Sequence, residues 1–458
     1  MQAIIGNETG NQFISKLNNN FSEAGFGGAL SSSQYGAVGD GVTDDTEALE
    51  DLFAAAYTAK KAVCIEAGTY LIRRSLTLRT GMEIYGIGGA TIKKKAAYTT
   101  TLSASTTSGQ TYIDVTDASG FEVGDQFFIA DSNSSGIFPA ANYCTYGVIT
   151  AINGNRISFT SCLNAAKVGC VKAHASGLKV SSSFAIMRSW APLYACDGVY
   201  IHDLTLDGNK QNDEAHEWSN APIHLDADRG YSYTYPATGI TFNTIQRNMI
   251  ASNLKIKNSP YDGISDQGRG GSIIQGCEIT DCYAHGIHFG TEYNNAKVTN
   301  NTIKNCGYAG VFWCEDVNGV IVSSNYIEAC NKGVSDVEYA RPVKHSIICN
   351  NIFKNITSVV FDFSMAEVGT GYNGYGHIVI ADNVIEQVNG VVANLVKLNF
   401  VTFTGNVICE WADSAPSYVV RADNINVAVI ANNICPTATN YVDKDSATTL
   451  KEVNNSWN

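Results

Sequence analysis

The sequence predicts an all-β fold, a right-handed single-stranded parallel β-helix, and three observations carry that prediction. Apolar anchors at Ile256, Ile279, Ile303, Ile327 and Phe353 follow one another at steps of 23, 24, 24 and 26 residues, and Cys282, Cys306 and Cys330 keep the 24-residue step. A fixed period in this range marks an array of supersecondary units, each burying its apolar face against its neighbours. An Asn recurs beside the anchors, at Asn253, Asn301, Asn325, Asn351, Asn383, Asn406, Asn433 and Asn455. Asn tolerates the left-handed conformation of a tight turn, and its amide can bond the Asn of the next coil. Between anchors there is no helical periodicity, only short β-branched and aromatic runs separated by Gly, Asn, Asp and Ser. Leucine-rich repeats have a similar period but need several Leu per unit, where this chain has Ile, Val and Asn. One coil of three short strands takes about two dozen residues, and each strand pairs with its copy about 4.8 Å away.

Composition bounds the functional classes. The chain has 458 residues, of which only 16% are charged and 42 are Gly, which suits a solenoid with many turns. A net charge of −13 with no basic run excludes a nucleic-acid partner. No apolar stretch approaches the length of a membrane span, and no secretory leader is visible at the start, so no membrane partner is expected. The 13 Cys contain no CxxC pair. Three of them sit at equivalent coil positions, so we read them as packed thiols, with no metal and no cofactor.

Taken in order, residues 1–30 form an N-terminal segment in which Phe13, Leu17 and Phe21 predict a short amphipathic helix capped by Asn11. Residues 31–100 hold a cap helix and the first coils. Thr43 is the expected N-cap, Asp44 and Asp45 suit the first turn, and Leu49, Leu52, Phe53 and Ala56 give the apolar face that plugs the open end of the solenoid. Residues 101–180 read as an inserted antiparallel β subdomain, with Asn153-Gly154 as a hairpin turn. Residues 181–458 are the β-helix proper. The string Tyr35-Gly-Ala-Val-Gly-Asp-Gly-Val-Thr-Asp-Asp-Thr, followed by Ala67-Gly-Thr-Tyr-Leu, resembles the entry motif and first strand of the pectate-lyase-like β-helix superfamily. That resemblance implies a polysaccharide partner and, by analogy with phage tailspike depolymerases, an extracellular or virion-associated homotrimer. Gly39 and Asp40 in the motif are expected to be structural.

Chemistry is expected where the strand after each coil's Gly aligns. Asp266, His288, Glu292, Glu315, Asp316, Asp336, Glu338 and Asp362 then fall near one strand edge on five successive coils, with Arg269, Trp313, Tyr339 and Arg341 among them. Stacked carboxylates repel and drive one pKa up, and carboxyl groups about 5 Å apart suit retaining glycoside hydrolysis while about 6.5–9.5 Å suits inversion. The leading expectation is therefore a glycoside hydrolase in which Asp266, Glu315 and Asp336 supply acid, base or nucleophile and His288 shuttles a proton. Arg269, Glu292, Trp313, Asp316, Glu338 and Arg341 would hold sugar, as would Trp218 in a long polar excursion. The motif sets of polygalacturonases and of mannuronan epimerases are not reproduced. Their nearest fragments are Ala284-His-Gly-Ile and Tyr261-Asp-Gly-Ile-Ser-Asp-Gln. A lyase or epimerase acting on uronates and a glycan-binding adhesin are the alternatives.

Overall fold

The computed structural model describes residues 28–129, 145–161, 169–170, 172–182, 184–189, 196–212, 223–225, 233–234, 241–242, 246–268, 270–290, 293–314, 317–336, 344–364, 376–412, 416, 418–435, 440–446 and 448–457. Three long sheets wind into a solenoid, two of 13 strands and one of 11. Within each sheet every strand pairs in parallel with its copy one coil away. The predicted anchors stack in register, Ile256 on Ile279, Ile303, Ile327 and Phe353 in turn, and Ile385 and Ile408 continue the column. All of these are buried in one continuous core, and each anchor withdrawn from water stabilises the coil by roughly 2 kcal/mol.

The Asn column is the polar counterpart of the anchors. The backbone N–H and the side-chain amide of Asn301 both donate to Oδ1 of Asn325, at 2.9 and 3.0 Å. The pattern passes from Asn325 to Asn351, Asn383, Asn406, Asn433 and Asn455. Each amide also donates to a backbone carbonyl one coil back, as Asn351 does to Val322 at 2.9 Å. The left-handed turn expected of these Asn belongs instead to the residue before each, including Asn300 (φ 58°), Ser324 (58°), Asn350 (57°), Asp382 (55°) and Asn432 (56°). The two duties expected of one Asn are divided between neighbours. One bends the chain at the surface, while the other enters the core.

A second column requires glycine for space. A Cβ on Gly263, Gly286 or Gly310 would lie 2.5, 2.5 and 2.6 Å from Cγ2 of Ile279, Ile303 and Ile327. These glycines let the third sheet approach the anchors closely enough to exclude water. Cys282, Cys306 and Cys330 are buried free thiols, as expected.

The cap helix spans Thr46–Ala59 and buries Leu49, Leu52, Phe53 and Ala56, the face read from the sequence. It starts three residues beyond Thr43, because Thr43 is spent in the preceding turn. There its N–H and hydroxyl donate to Asp40, which also accepts from Val42 N–H. Asp45 accepts from the N–H groups of Val38 and Gly39, so Gly39 and Asp40 organise the entry turn. The inserted subdomain is a six-stranded sheet with its own core, containing Ile113, Phe121, Phe127, Ile157 and Phe159. Its hairpin pairs Asn153 with Arg156, so the turn is centred on Gly154 and Asn155 with Gly154 at φ 58°. The Arg73 guanidinium grips Asp125 through two bonds of 2.9 and 2.6 Å and ties this sheet to the first coils. The helix expected around Phe13, Leu17 and Phe21 falls outside the described residues. Among the described residues no helix is long and apolar enough to cross a membrane.

The ladder predicts its own weak point. Asn351→Ala strands the N–H of Asn325 and the carbonyl of Val322 in the core, and each buried group left without a partner costs about 1–3 kcal/mol. Equilibrium denaturation should show a loss of at least about 2 kcal/mol. A loss under about 0.5 kcal/mol would show that the ladder is incidental.

Candidate active site

The third sheet positions the chemistry. Ile264, Ile287, Val311, Val334 and Phe361 stack in register and lie in the core. Because side chains alternate along a strand, the next column, Ser265, His288, Phe312, Ser335 and Asp362, faces out. The one after it, Asp266, Phe289, Trp313 and Asp336, faces in again.

This alternation divides the residues that the sequence placed together. Asp266 is fully buried. Its Oδ2 accepts from the hydroxyls of Tyr293 and Ser272, at 2.6 and 2.7 Å, and its Oδ1 from Gly268 N–H at 3.0 Å. Burial raises its pKa, with the Tyr293 and Ser272 hydroxyls opposing the shift. Asp336 is 4% exposed and stands three rungs along the same column. Three steps of about 4.8 Å put these carboxylates about 14 Å apart, beyond either span for paired glycosidic catalysis. Trp313 requires a correction. Expected as an exposed platform for sugar, it has 0% exposure and stacks on Phe363 inside the coil, ring centroids 5.5 Å apart. An indole of that size on an inward column completes the core. Glu315, Asp316, Arg269, Glu292, Glu338, Arg341 and Trp218 lie outside the described residues.

His288 stands on the outward column, and the structure brings to it two residues that the sequence reading missed. Asp262 and His285 are 23 residues apart, one coil step, and so stack on adjacent rungs. The Asp262 carboxylate accepts on Oδ1 from Nδ1 of His285 at 2.7 Å and from its backbone N–H at 3.2 Å. Its Oδ2 accepts from Nδ1 of His288 at 2.8 Å. The Nε2 of His288 then faces Sγ of Cys314 at 3.3 Å. Phe312 stacks on the His285 ring at 4.2 Å, and Tyr308 meets that ring edge-on at 5.1 Å. Beyond them Lys332 pairs with Asp362 at 2.5 Å and donates to the Tyr308 hydroxyl at 3.0 Å, while the Asn394 amide donates to Asp362 at 2.9 Å. The missed signal was the coil step itself, applied to ionisable residues as it had been to the anchors.

The charges follow from burial and pairing. Burial disfavours the Asp262 carboxylate, but the His288 and His285 rings outweigh it and hold its pKa at about 2. Burial likewise disfavours a charged His288, and is outweighed by Asp262 and by Cys314, so that its pKa rises to about 10. Burial pushes His285 down; Asp262 opposes that shift and the neighbouring His288 adds to it. The result is one buried imidazolium–carboxylate pair beside a neutral imidazole. Asp262, His285 and His288 also bring their ligand atoms within 4.8 Å of one another, and both ring contacts to the carboxylate are at hydrogen-bond length. The arrangement is an imidazolium whose direction is fixed by a buried carboxylate, a group able to donate a proton.

Residues 30–288, more than half of the chain, match the family model described as rhamnogalacturonase A/epimerase, pectate lyase-like. The chain belongs to that family. The rhamnogalacturonase A/epimerase, pectate lyase-like match takes in Asp262, Asp266, His285 and His288, and a right-handed β-helix region matches over residues 238–433. Among solved structures, the A-module of a mannuronan C-5 epimerase, AlgE6 from Azotobacter vinelandii, aligns over 93% of this chain and 94% of its own, at 14% identity and a TM-score of 0.55. PfbA, a surface adhesin of Streptococcus pneumoniae, aligns over 92% and 93% at 16% identity with a TM-score of 0.48. The Dettilon tailspike protein aligns over 98% and 71% at 11% identity with a TM-score of 0.46. These likenesses concern the fold. A 52-residue stretch is 44% identical to the non-secreted LysM effector LysM19 of Penicillium expansum, and it spans 11% of this chain and 4% of that protein.

Two measurements check this arrangement. Trp313→Ala should cost roughly 3–5 kcal/mol of stability as a core cavity forms; a surface platform would cost almost nothing. The ion pair also gives stability a pH signature. Asp262 is depressed from its ordinary 3.8, so its contribution is present above that pH and lost as pH falls through about 2. His288 is raised from 6.5, so its contribution is present below that pH and lost as pH rises through about 10. Between pH 7 and 10 the wild type should therefore lose stability faster than His288→Gln, and parallel curves would rule the pair out.

Proposed function

We propose that this chain modifies a uronate-containing polysaccharide by proton transfer at the carbon beside the carboxylate, as an epimerase or a lyase. The observation that carries this reading is His288 on the outward column of the third sheet, with Nδ1 held by the buried Asp262. A group that keeps its proton to about pH 10 is suited to donation. As the carbon gives up its proton to a solvent hydroxide, which leaves as water, the His288 imidazolium can offset the charge that develops on the carboxylate. It can then return a proton to the carbon or deliver one to a departing oxygen. Membership of a family whose description includes epimerases supports the same reading. Glycoside hydrolysis, the leading expectation from sequence, has less support, because its Asp266 and Asp336 are buried on an inward column three rungs apart.

A second reading is a glycan-binding surface protein that leaves its ligand intact, and one observation favours it. Only 5% of the His288 side chain is exposed, as suits a purely structural pair. An extracellular or virion-associated setting and a homotrimer belong to the same proposal, and light scattering of the purified chain tests the trimer.

Incubation with uronate polymers in deuterated water separates the readings. An epimerase or lyase should place deuterium at the acidic carbon or release unsaturated, ultraviolet-absorbing ends, and His288→Gln and Asp262→Asn should each lower the rate by about 10²–10⁴-fold. Reducing ends without exchange would point to hydrolysis, and binding with neither product to the adhesin. Full activity in both variants would remove His288 from the reaction.

A further inference from the structure

The margin of the third sheet carries a partly exposed thiol, Cys314, beside an imidazole. Cys277, Cys282, Cys306 and Cys330 are buried in the coil interior, with their sulfurs against backbone carbonyls at 3.4–3.9 Å. Cys409 is exposed, but burial of part of its surface and the nearby Glu386 and Glu410 push its thiol pKa up. Cys314 is partly exposed, and its Sγ is 3.3 Å from Nε2 of His288. On its far side the same ring is held at 2.8 Å by Asp262, which His285 anchors in turn at 2.7 Å. Nucleophile, imidazolium and orienting carboxylate thus follow one another, the arrangement in which a neighbouring cation favours the thiolate of a Cys. The Cys314 N–H donates to the Phe289 carbonyl at 2.9 Å, which keeps the sulfur at the end of its strand and beside the ring.

We propose that Cys314 is a nucleophilic thiol, activated by His288 and oriented through Asp262, that takes soft electrophilic carbon at the edge of the candidate site. This assignment does not rest on the glycan reaction proposed above. Sγ and Nε2 share one proton. When the sulfur attacks a haloacetamide, the sulfur–carbon bond forms, the carbon–iodine bond breaks and iodide leaves. The shared proton stays on Nε2, and the Asp262 carboxylate offsets the charge on the ring.

Exposure alone ranks Cys409 as the more reactive thiol, whereas the line of three residues ranks Cys314 above it. The test is alkylation of the full-length protein by iodoacetamide at pH 7, with the rate at each Cys followed by peptide mass spectrometry and Cys314→Ser confirming the assignment. Cys314 should react at least about tenfold faster than Cys409, and His288→Gln or Asp262→Asn should remove most of that advantage while leaving Cys409 unchanged. A wild-type Cys314 no faster than Cys409 would overturn the proposal without recourse to any variant. An undiminished rate in both variants would overturn it as well.

Discussion

Everything in this molecule depends on parallel register between coils. Each backbone position becomes a column at a spacing of about 4.8 Å, so a choice made at one residue is constrained by its copies above and below. The Asn ladder shows the constraint most plainly. A buried amide is costly unless every donor and acceptor is met. From Asn301 to Asn433 each amide meets that requirement with its neighbours in the column and a carbonyl one coil back. A slip of one residue would carry the whole ladder to the other face and strand it. The polar column therefore specifies the register that the apolar anchors stabilise.

The same rule explains why charged groups can stand in water-poor positions on the third sheet. A lone buried carboxylate would be forced to take up a proton. Asp262 escapes because stacking supplies His285 from the next rung, and His288 lies three residues further along that coil. Asp266, on an inward column, has only neutral hydroxyls and one N–H for partners, and its pKa moves the opposite way. Two aspartates four residues apart thus end in opposite electrostatic states, and the difference lies in which column each occupies.

The fold was legible because periodicity is a property of the string. Ile256 to Phe353 needed only subtraction, and the helix face at Leu49, Leu52, Phe53 and Ala56 only a period of 3.6. The site was less legible because it depends on the phase of a two-residue alternation within strands three to six residues long. Aligning every acid after the coil's Gly treated His288 and Asp266 as sharing an edge, although their columns point in opposite directions. A corrective was present in the sequence. The column of Asp266 also holds Phe289, Trp313 and Phe363, and a column that is aromatic on most of its rungs is inward. The division of labour between Asn300 and Asn301, or Asn350 and Asn351, was hidden for a different reason. Residue type alone does not say which of two adjacent Asn turns the chain and which enters the core.

Coil arithmetic can be carried past the anchors to the ionisable groups. Adding one step to Asp262 reaches His285, and another reaches the rung of Ala309, which in turn pairs with Lys332. The acid, imidazole and ammonium on this face therefore come from a single column with one alanine between them, and His288 and Asp362 from its neighbour. A solenoid can vary such a face one rung at a time, because a change on a column disturbs chiefly the rungs beside it. The coils below and above, with their anchors and their Asn, keep the register unchanged. That separation lets a fold whose interior repeats itself carry a face that does not, and here it gathers Asp262, His285, His288 and Lys332 onto a few successive rungs.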